Sequence, residues 1–211
     1  MKEIHLFCGQ WDGSGVGHLN GLRSNEIKLI LKGVKFSAEG FSELVSIEKH
    51  FEYLGIQEAK IPRGSGEIME HLSVSALDLS SADLGGDKLP PLLVGRLQGL
   101  NLNDCDLEVA PWLASMGDKE FPKMEHLWLR GMGIEDGGVA MVARSFPNLK
   151  SLVLSGNSLT EESYSDLNRL SSLEATDFVD YNLAVKRPSD PFYKDVFGYV
   201  LNSVNRIQCH F

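Results

Sequence analysis

The chain is short of cysteine, of positive charge and of long apolar runs, and each shortage removes a class of function. Its three cysteines, Cys8, Cys105 and Cys209, are an odd number without a CxxC spacing, which argues against both a disulfide framework and the common zinc sites. Reduced thiols in a cytosol fit that usage. Twenty Lys and Arg against twenty-nine Asp and Glu leave a formal charge of −9. No basic run offsets this locally, so a nucleic-acid backbone is not an expected partner. No apolar stretch approaches the roughly 20 residues that cross a bilayer, and the opening MKEIHLFCGQW lacks a signal-peptide pattern. The expectation is a cytoplasmic protein without a membrane partner, the nucleus remaining open as a location.

Catalytic patterns are missing too. There is no Walker sequence and no GxSxG elbow, and the six histidines have no metal-ligand spacing. Neither a cofactor nor a metal is expected. The segment GSGVG, residues 13 to 17, is spaced GxGxG instead of GxGxxG with no helix signal behind it, and reads as a return loop. Cys8 beside His5 lacks an orienting third group. Asp104 with Asp106, and Asp177 with Asp180, read as a solvated acidic rim.

What the chain does have is one pattern repeated eight times. LQGLNLNDCDL (97 to 107), MEHLWLRGMGI (124 to 134) and LKSLVLSGNSL (149 to 159) share apolar residues at positions 1, 4, 6 and 11 of one template. The template also fits VSALDLSSADL (74 to 84) and LEATDFVDYNL (173 to 183), and toward the N-terminus FEYLGIQEAKI, EIKLILKGVKF and MKEIHLFCGQW. Its position-4 residues are Ile4, Leu29, Leu54, Leu77, Leu100, Leu127, Leu152 and Thr176, spaced 23 to 27 residues apart. Phe121-Pro122 and Phe146-Pro147 enter two successive units at the same offset.

This pattern resembles the leucine-rich repeat family, LxxLxLxx(N/C)xL at 20 to 29 residues per turn. The resemblance implies an α/β fold: a right-handed solenoid, with a curved parallel sheet of about eight strands on the concave side and mixed helical and irregular returns on the convex side. No unit buries its own apolar edge, so the core exists only between stacked neighbours. Residues 1–187 are expected to form the solenoid. After them Phe192, Val196, Val200 and Val204 recur behind Pro191, so residues 188–211 are expected to supply a capping helix and last strand. That segment is loosely similar to the caps of small acidic nuclear leucine-rich phosphoproteins and of phosphatase-regulatory repeat proteins.

Two returns carry helix signals: SAEGFSELVSIEKHF, with Phe41, Leu44, Val45 and Glu48 on one face behind a Ser37 cap, and EDGGVAMVARSF, with Val139, Val142 and Ala143. The prolines of GGDKLPPLLVGR and EVAPWLASMGDKEFP are expected to hold helix to a turn or less. Position 9 departs from the family. It holds Gly9, Val34, Ala59, Ala82, Cys105, Met132, Asn157 and Tyr181, so a regular asparagine ladder is absent. The first strand, from about Glu3, would leave an unpaired edge. Either the Trp11 to Gly21 loop shields it, or end-to-end self-association through this strand covers it, or a segment absent from this sequence does.

In the template positions 3, 5, 7 and 8 face the concave side. Trp, Tyr and Arg lead the residue types that dominate interfaces. The candidate partner-binding residues are therefore Trp128, Arg130 and His126 on one strand, flanked by Asn101, Asn103 and Val153, with Tyr53 and Asp78 further along. Trp128 sits between Leu127 and Leu129 and is expected to point away from the core. It either faces a partner or packs over its neighbours to shield the sheet. The expected function is a non-catalytic interaction module that binds a protein or peptide on the concave face. The alternative is a regulator of a small GTPase or phosphatase acting through rim loops.

Overall fold

The computed structural model describes residues 2–7 and 9–177; the expected cap beyond Leu183, together with Cys8, Asp180 and Tyr181, lies outside the described residues. Eight strands form one parallel sheet in chain order: β1 (Lys2–Phe7), β2 (Glu26–Lys32), β3 (His50–Gln57), β4 (Val74–Asp78), β5 (Gly99–Asn101), β6 (His126–Trp128), β7 (Ser151–Val153) and β8 (Ala175–Asp177). The position-4 residues meet rung by rung, from Ile4 opposite Leu29 through Leu54, Leu77, Leu100 and Leu127 to Leu152 opposite Thr176. Repeat template and sheet register thus coincide. A slip of one residue would turn positions 4 and 6 out of the core. Leu29, Leu31, Leu54, Ile56, Leu77, Leu79, Leu100, Leu102, Leu127, Leu129 and Leu152 are wholly buried there, each burial stabilising by about 1.5–3 kcal/mol.

One template slot is corrected. Position 1 of the second repeat falls on Glu26, which is exposed. A register shift between Ile27 and Lys28 brings Ile27 opposite Phe51 instead, and Ile27 fills the buried slot.

The convex side is a row of short helices. α1 (Ala38–Val45) starts at Ser37, whose side chain accepts the Gly40 N–H at 3.0 Å, and buries Phe41, Leu44 and Val45. It stops before Glu48, which is exposed, and Ile47 takes the inner place. α2 (Pro91–Val94) is one turn, as its prolines require. α3 (Val109–Ser115) exceeds the expected single turn. Pro111 lies in its first turn, where a helix has no use for the N–H that proline lacks. α4 (Asp136–Ser145) buries Val139, Val142 and Ala143, and α5 (Tyr164–Leu167) follows. α3 packs on α4 and α4 on α5, while α2 leans on the 3-10 turn Ile68–His71.

The GSGVG loop leads into a 3-10 turn, Val16–Gly21, which the sequence had not signalled. Its amides do hold an anion, one supplied by the chain itself. Gly15 and Gly17 N–H donate to the same Glu43 carboxylate oxygen at 2.8 and 3.3 Å. The loop from Trp11 to Gly21 extends the convex layer: it bonds to Ser37, Glu43 and Glu48 of the second coil. Among the described residues β1 pairs with β2 alone.

Position 8 holds a feature that the template missed. Gly33, Glu58, Ser81, Asp104, Gly131 and Gly156 all have left-handed backbone, with φ of 73°, 49°, 55°, 55°, 66° and 73°. This turn lets the amide at position 8 reach the next coil. Gly33 donates to Gln57 O, Glu58 to Ser80 O, Ser81 to Asn103 O, Asp104 to Arg130 O and Gly131 to Ser155 O. Each strand's ladder is thereby extended past the strand itself.

A candidate recognition face on the concave side

Side chains of a strand alternate between faces, so positions 3, 5 and 7 leave the main core. They do not all reach solvent. Ile30, Tyr53, Ala76, Trp128 and Val153 form a second apolar cluster on the concave side. Curvature crowds the inner face, and β5 contributes only Gly99 to the row between Ala76 and His126. The Trp128 indole reaches across that strip and is 6% exposed. Of the eight candidate residues, Tyr53, Asp78, Asn101, His126, Trp128 and Val153 are buried, Asn103 is half-buried and Arg130 is exposed. Of the two readings of Trp128, its burial agrees with the second: the residue leaves the main core and packs over its neighbours on the concave side.

The polar members are locked by hydrogen bonds. Asp78 accepts from Tyr53 Oη at 2.7 Å and from Gln57 Nε2 at 2.7 Å through one oxygen, and from the Ser80 N–H at 2.9 Å through the other. Three donors compensate a carboxylate that is almost fully removed from water. Burial, and next the Asp78 charge, push the Tyr53 hydroxyl well above its ordinary pKa. Gly55 makes the arrangement possible, since a Cβ there would stand 3.1 Å from the Tyr53 ring. Gln57 was not singled out from the sequence. Its signal was its place at position 7, next to the position-5 aspartate of the following coil.

Toward the C-terminal ends of the strands the row opens. Asn101 Oδ1 accepts the Asn103 N–H at 3.0 Å, and Asn103 Oδ1 accepts the Arg130 N–H at 2.8 Å. The Arg130 guanidinium donates to Asp104 at 2.6 and 3.2 Å. Lys32 pairs with Glu58 at 2.9 Å on the same rim. On the opposite rim Glu125 lies 2.9 Å from Lys150 and 3.9 Å from His126. The acids read as a free rim are partly engaged: Asp106 accepts the Leu84 N–H at 2.7 Å. Desolvation, opposed by that bond and reinforced by neighbouring Asp83, raises its pKa; Asp83, which accepts the Gly85 N–H, is lowered.

Chemically the face offers donors, acceptors and charge pairs in fixed places. His5 is held by Glu3 at 2.6 Å, and His50 by Ser73 and Ser75. No group of three metal-ligating side chains occurs among the described residues, and no described helix is long and apolar enough to cross a membrane. Two shallow concavities of 470 and 490 Å³ flank the exposed Leu92 on the convex side, both bordered by Glu70, Pro91 and Gly95.

Stacked coils with inward leucines at positions 4 and 6, a parallel concave sheet and short convex helices define a leucine-rich repeat solenoid. A family model described as Leucine Rich Repeat matches residues 148–170, the seventh unit and its return. No curated protein matches the chain. Repeats of this kind generally serve as non-catalytic surfaces for protein–protein interaction.

Proposed function

We propose that the chain is a non-catalytic interaction module that receives a protein or peptide along its concave side. The contact row is the exposed C-terminal rim around Asn103, Asp104 and Arg130, and the buried row from Tyr53 to Val153 is its rigid floor. The observation that carries this reading is the chain of bonds Asn101–Asn103–Arg130–Asp104, which holds an exposed arginine in place before any partner arrives. Pre-ordered side chains lose little entropy on binding, and arginine is among the residues on which interfaces concentrate energy. The alternative is a small-GTPase or phosphatase regulator working through the rim loops near Asp104 to Asp106 and Asp177 to Asp180.

Trp128→Ala is a poor probe of this face, because removing a buried indole costs about 3–5 kcal/mol of stability. Arg130→Glu is a clean one, since the side chain is exposed. Proteins captured from native extract on immobilised chain should be lost with Arg130→Glu and kept with Leu92→Asp on the convex side. Retention by the first variant and loss by the second would move the interface to the convex surface and end the concave reading.

A further inference from the structure

We propose that the outer edge of β1 is a self-association site, at which two copies of the chain pair antiparallel about a two-fold axis at His5. The direction of the backbone groups comes from the inner coils. At position 6, Leu79, Leu102 and Leu129 donate their N–H to the following coil, whereas at position 3, His126 and Ser151 donate to the preceding one. From position 3 to position 8, even positions thus turn toward the next strand and odd positions toward the previous strand. β1 keeps the same register with β2, Ile4 opposite Leu29 and Leu6 opposite Leu31. Glu3, His5 and Phe7 therefore direct their N–H and C=O groups to an edge that no other described strand occupies.

The side chains are incomplete at the same place. Ile4 and Leu6 fill the slots that are wholly buried in the coils behind them, yet they are only partly buried against the core. An edge of this kind, flat and partly apolar, invites another strand.

The strand is its own best complement. With the axis at His5, Glu3 of one copy lies opposite Phe7 of the second, His5 opposite His5, and Phe7 opposite Glu3. Each of these pairs can exchange two backbone hydrogen bonds, because all three residues are the outward-facing ones. The pairs between them set Ile4 against Leu6 of the second copy and Leu6 against Ile4, closing the core across the join. The two Glu3 carboxylates stay four residues apart along the strands. An isologous contact closes where a head-to-tail one propagates. A perpendicular axis keeps both concave faces on the same side of one continuous sheet. None of this depends on what the concave face binds.

The test is sedimentation of the full chain across a concentration series. The expected species has twice the 23.3 kDa chain mass. His5→Pro removes an outward N–H and spares the groups of Ile4 and Leu6 that face β2, so it should sediment as a monomer with an unchanged circular dichroism spectrum. Glu3→Pro should do the same, whereas Leu6→Pro should damage the fold. In the wild type, the amides of His5 and Phe7 should exchange slowly with solvent and speed up on dilution. A wild type that stays monomeric overturns the proposal, as does a dimer that survives both edge prolines or one whose wild-type His5 and Phe7 amides exchange fast. Growth into open-ended arrays would mean head-to-tail stacking and overturn it equally.

Discussion

The two halves of the sheet hold their coils together by different means. β1 to β4 have six, seven, eight and five residues, and β5 to β8 have three each. In the first half backbone pairs with backbone even after the strands end: Lys35, Lys60 and Asp83 form bridges between successive coils, and the position-11 amides of Phe36 and Ile61 donate to Lys60 O and Asp83 O. At the fourth repeat a side chain takes over, the Leu84 N–H going to the Asp106 carboxylate. At the sixth, Asn157 Oδ1 accepts both the Met132 and Ile134 N–H at 3.0 Å, while its Nδ2 donates to Leu129 O and Leu154 O at 2.8 Å. The convex helices α3, α4 and α5 also pack on one another only in this half. Buried turns need their polar groups satisfied in either case. Asp106 and Asn157 supply side-chain partners where the backbone ladder stops short, and apolar Val34, Ala59 and Ala82 suffice where it runs on.

The largest expected effect lies on Asn157. Asn157→Ala strips four backbone groups of their partner and should cost about 3–5 kcal/mol in urea unfolding. Cys105→Ala at the same template position should cost about 1 kcal/mol or less, since the thiol only donates to Ala82 O at 3.3 Å. Burial pushes that thiol's pKa up to about 12, so it stays a donor throughout the accessible pH range. Equal losses at the two positions would mean that the four bonds of the asparagine hold its turn no better than the single bond of the thiol.

Next in size are the left-handed turns. Gly131→Ala puts a Cβ into left-handed backbone and hard against Asp104 Oδ1, at 2.3 Å, and should lower stability by about 1–2 kcal/mol. Ser81→Gly should raise it by about 0.5 kcal/mol, because relief of strain at φ 55° outweighs the added freedom of the unfolded chain. Thermal unfolding of the pair tests both signs. A loss at Ser81→Gly would mean that the serine has a role beyond occupying the turn.

The smallest effect sharpens the comparison at its boundary. Asp106 has its folded pKa raised, so its ionisation costs stability above that pKa, and the cost is absent below the ordinary value of 3.8. Asp106→Asn keeps an acceptor for the Leu84 N–H without the charge. It should stabilise by a few tenths of a kcal/mol at pH 7, an exposed position limiting the size. The advantage should vanish near pH 3, which paired urea titrations at the two pH values would detect. Asp83 has the opposite sign: its lowered pKa adds stability above 3.8 that is lost as pH falls through the folded value.

The repeat was legible because its signal is apolar and periodic. Leu29 to Leu152 could be placed rung by rung, and α1 and α4 follow from the Ser37 cap and from the spacing of Val139, Val142 and Ala143 respectively. The strand bulge at Ile27 was not legible, since a bulge inserts a residue without changing the composition around it. The left-handed position 8 was half written: Gly33, Gly131 and Gly156 announce it, while Glu58, Ser81 and Asp104 conceal it. The candidate face was legible in membership but not in exposure. Alternation says which side of the sheet Trp128 leaves, and says nothing of the apolar side chains, Ile30, Tyr53, Ala76 and Val153, with which it clusters there.

The unequal strand lengths also set how the molecule would bear a load. Coils stacked along a sheet are links in series, and tension applied along the stack passes through every rung in turn. The three-residue rungs of β5 to β8 would part before the longer ones of β2 and β3, letting out chain one repeat at a time, about 80–90 Å of contour for each. The N-terminal half would then remain as a folded remnant, its stiffest rungs at β2 and β3.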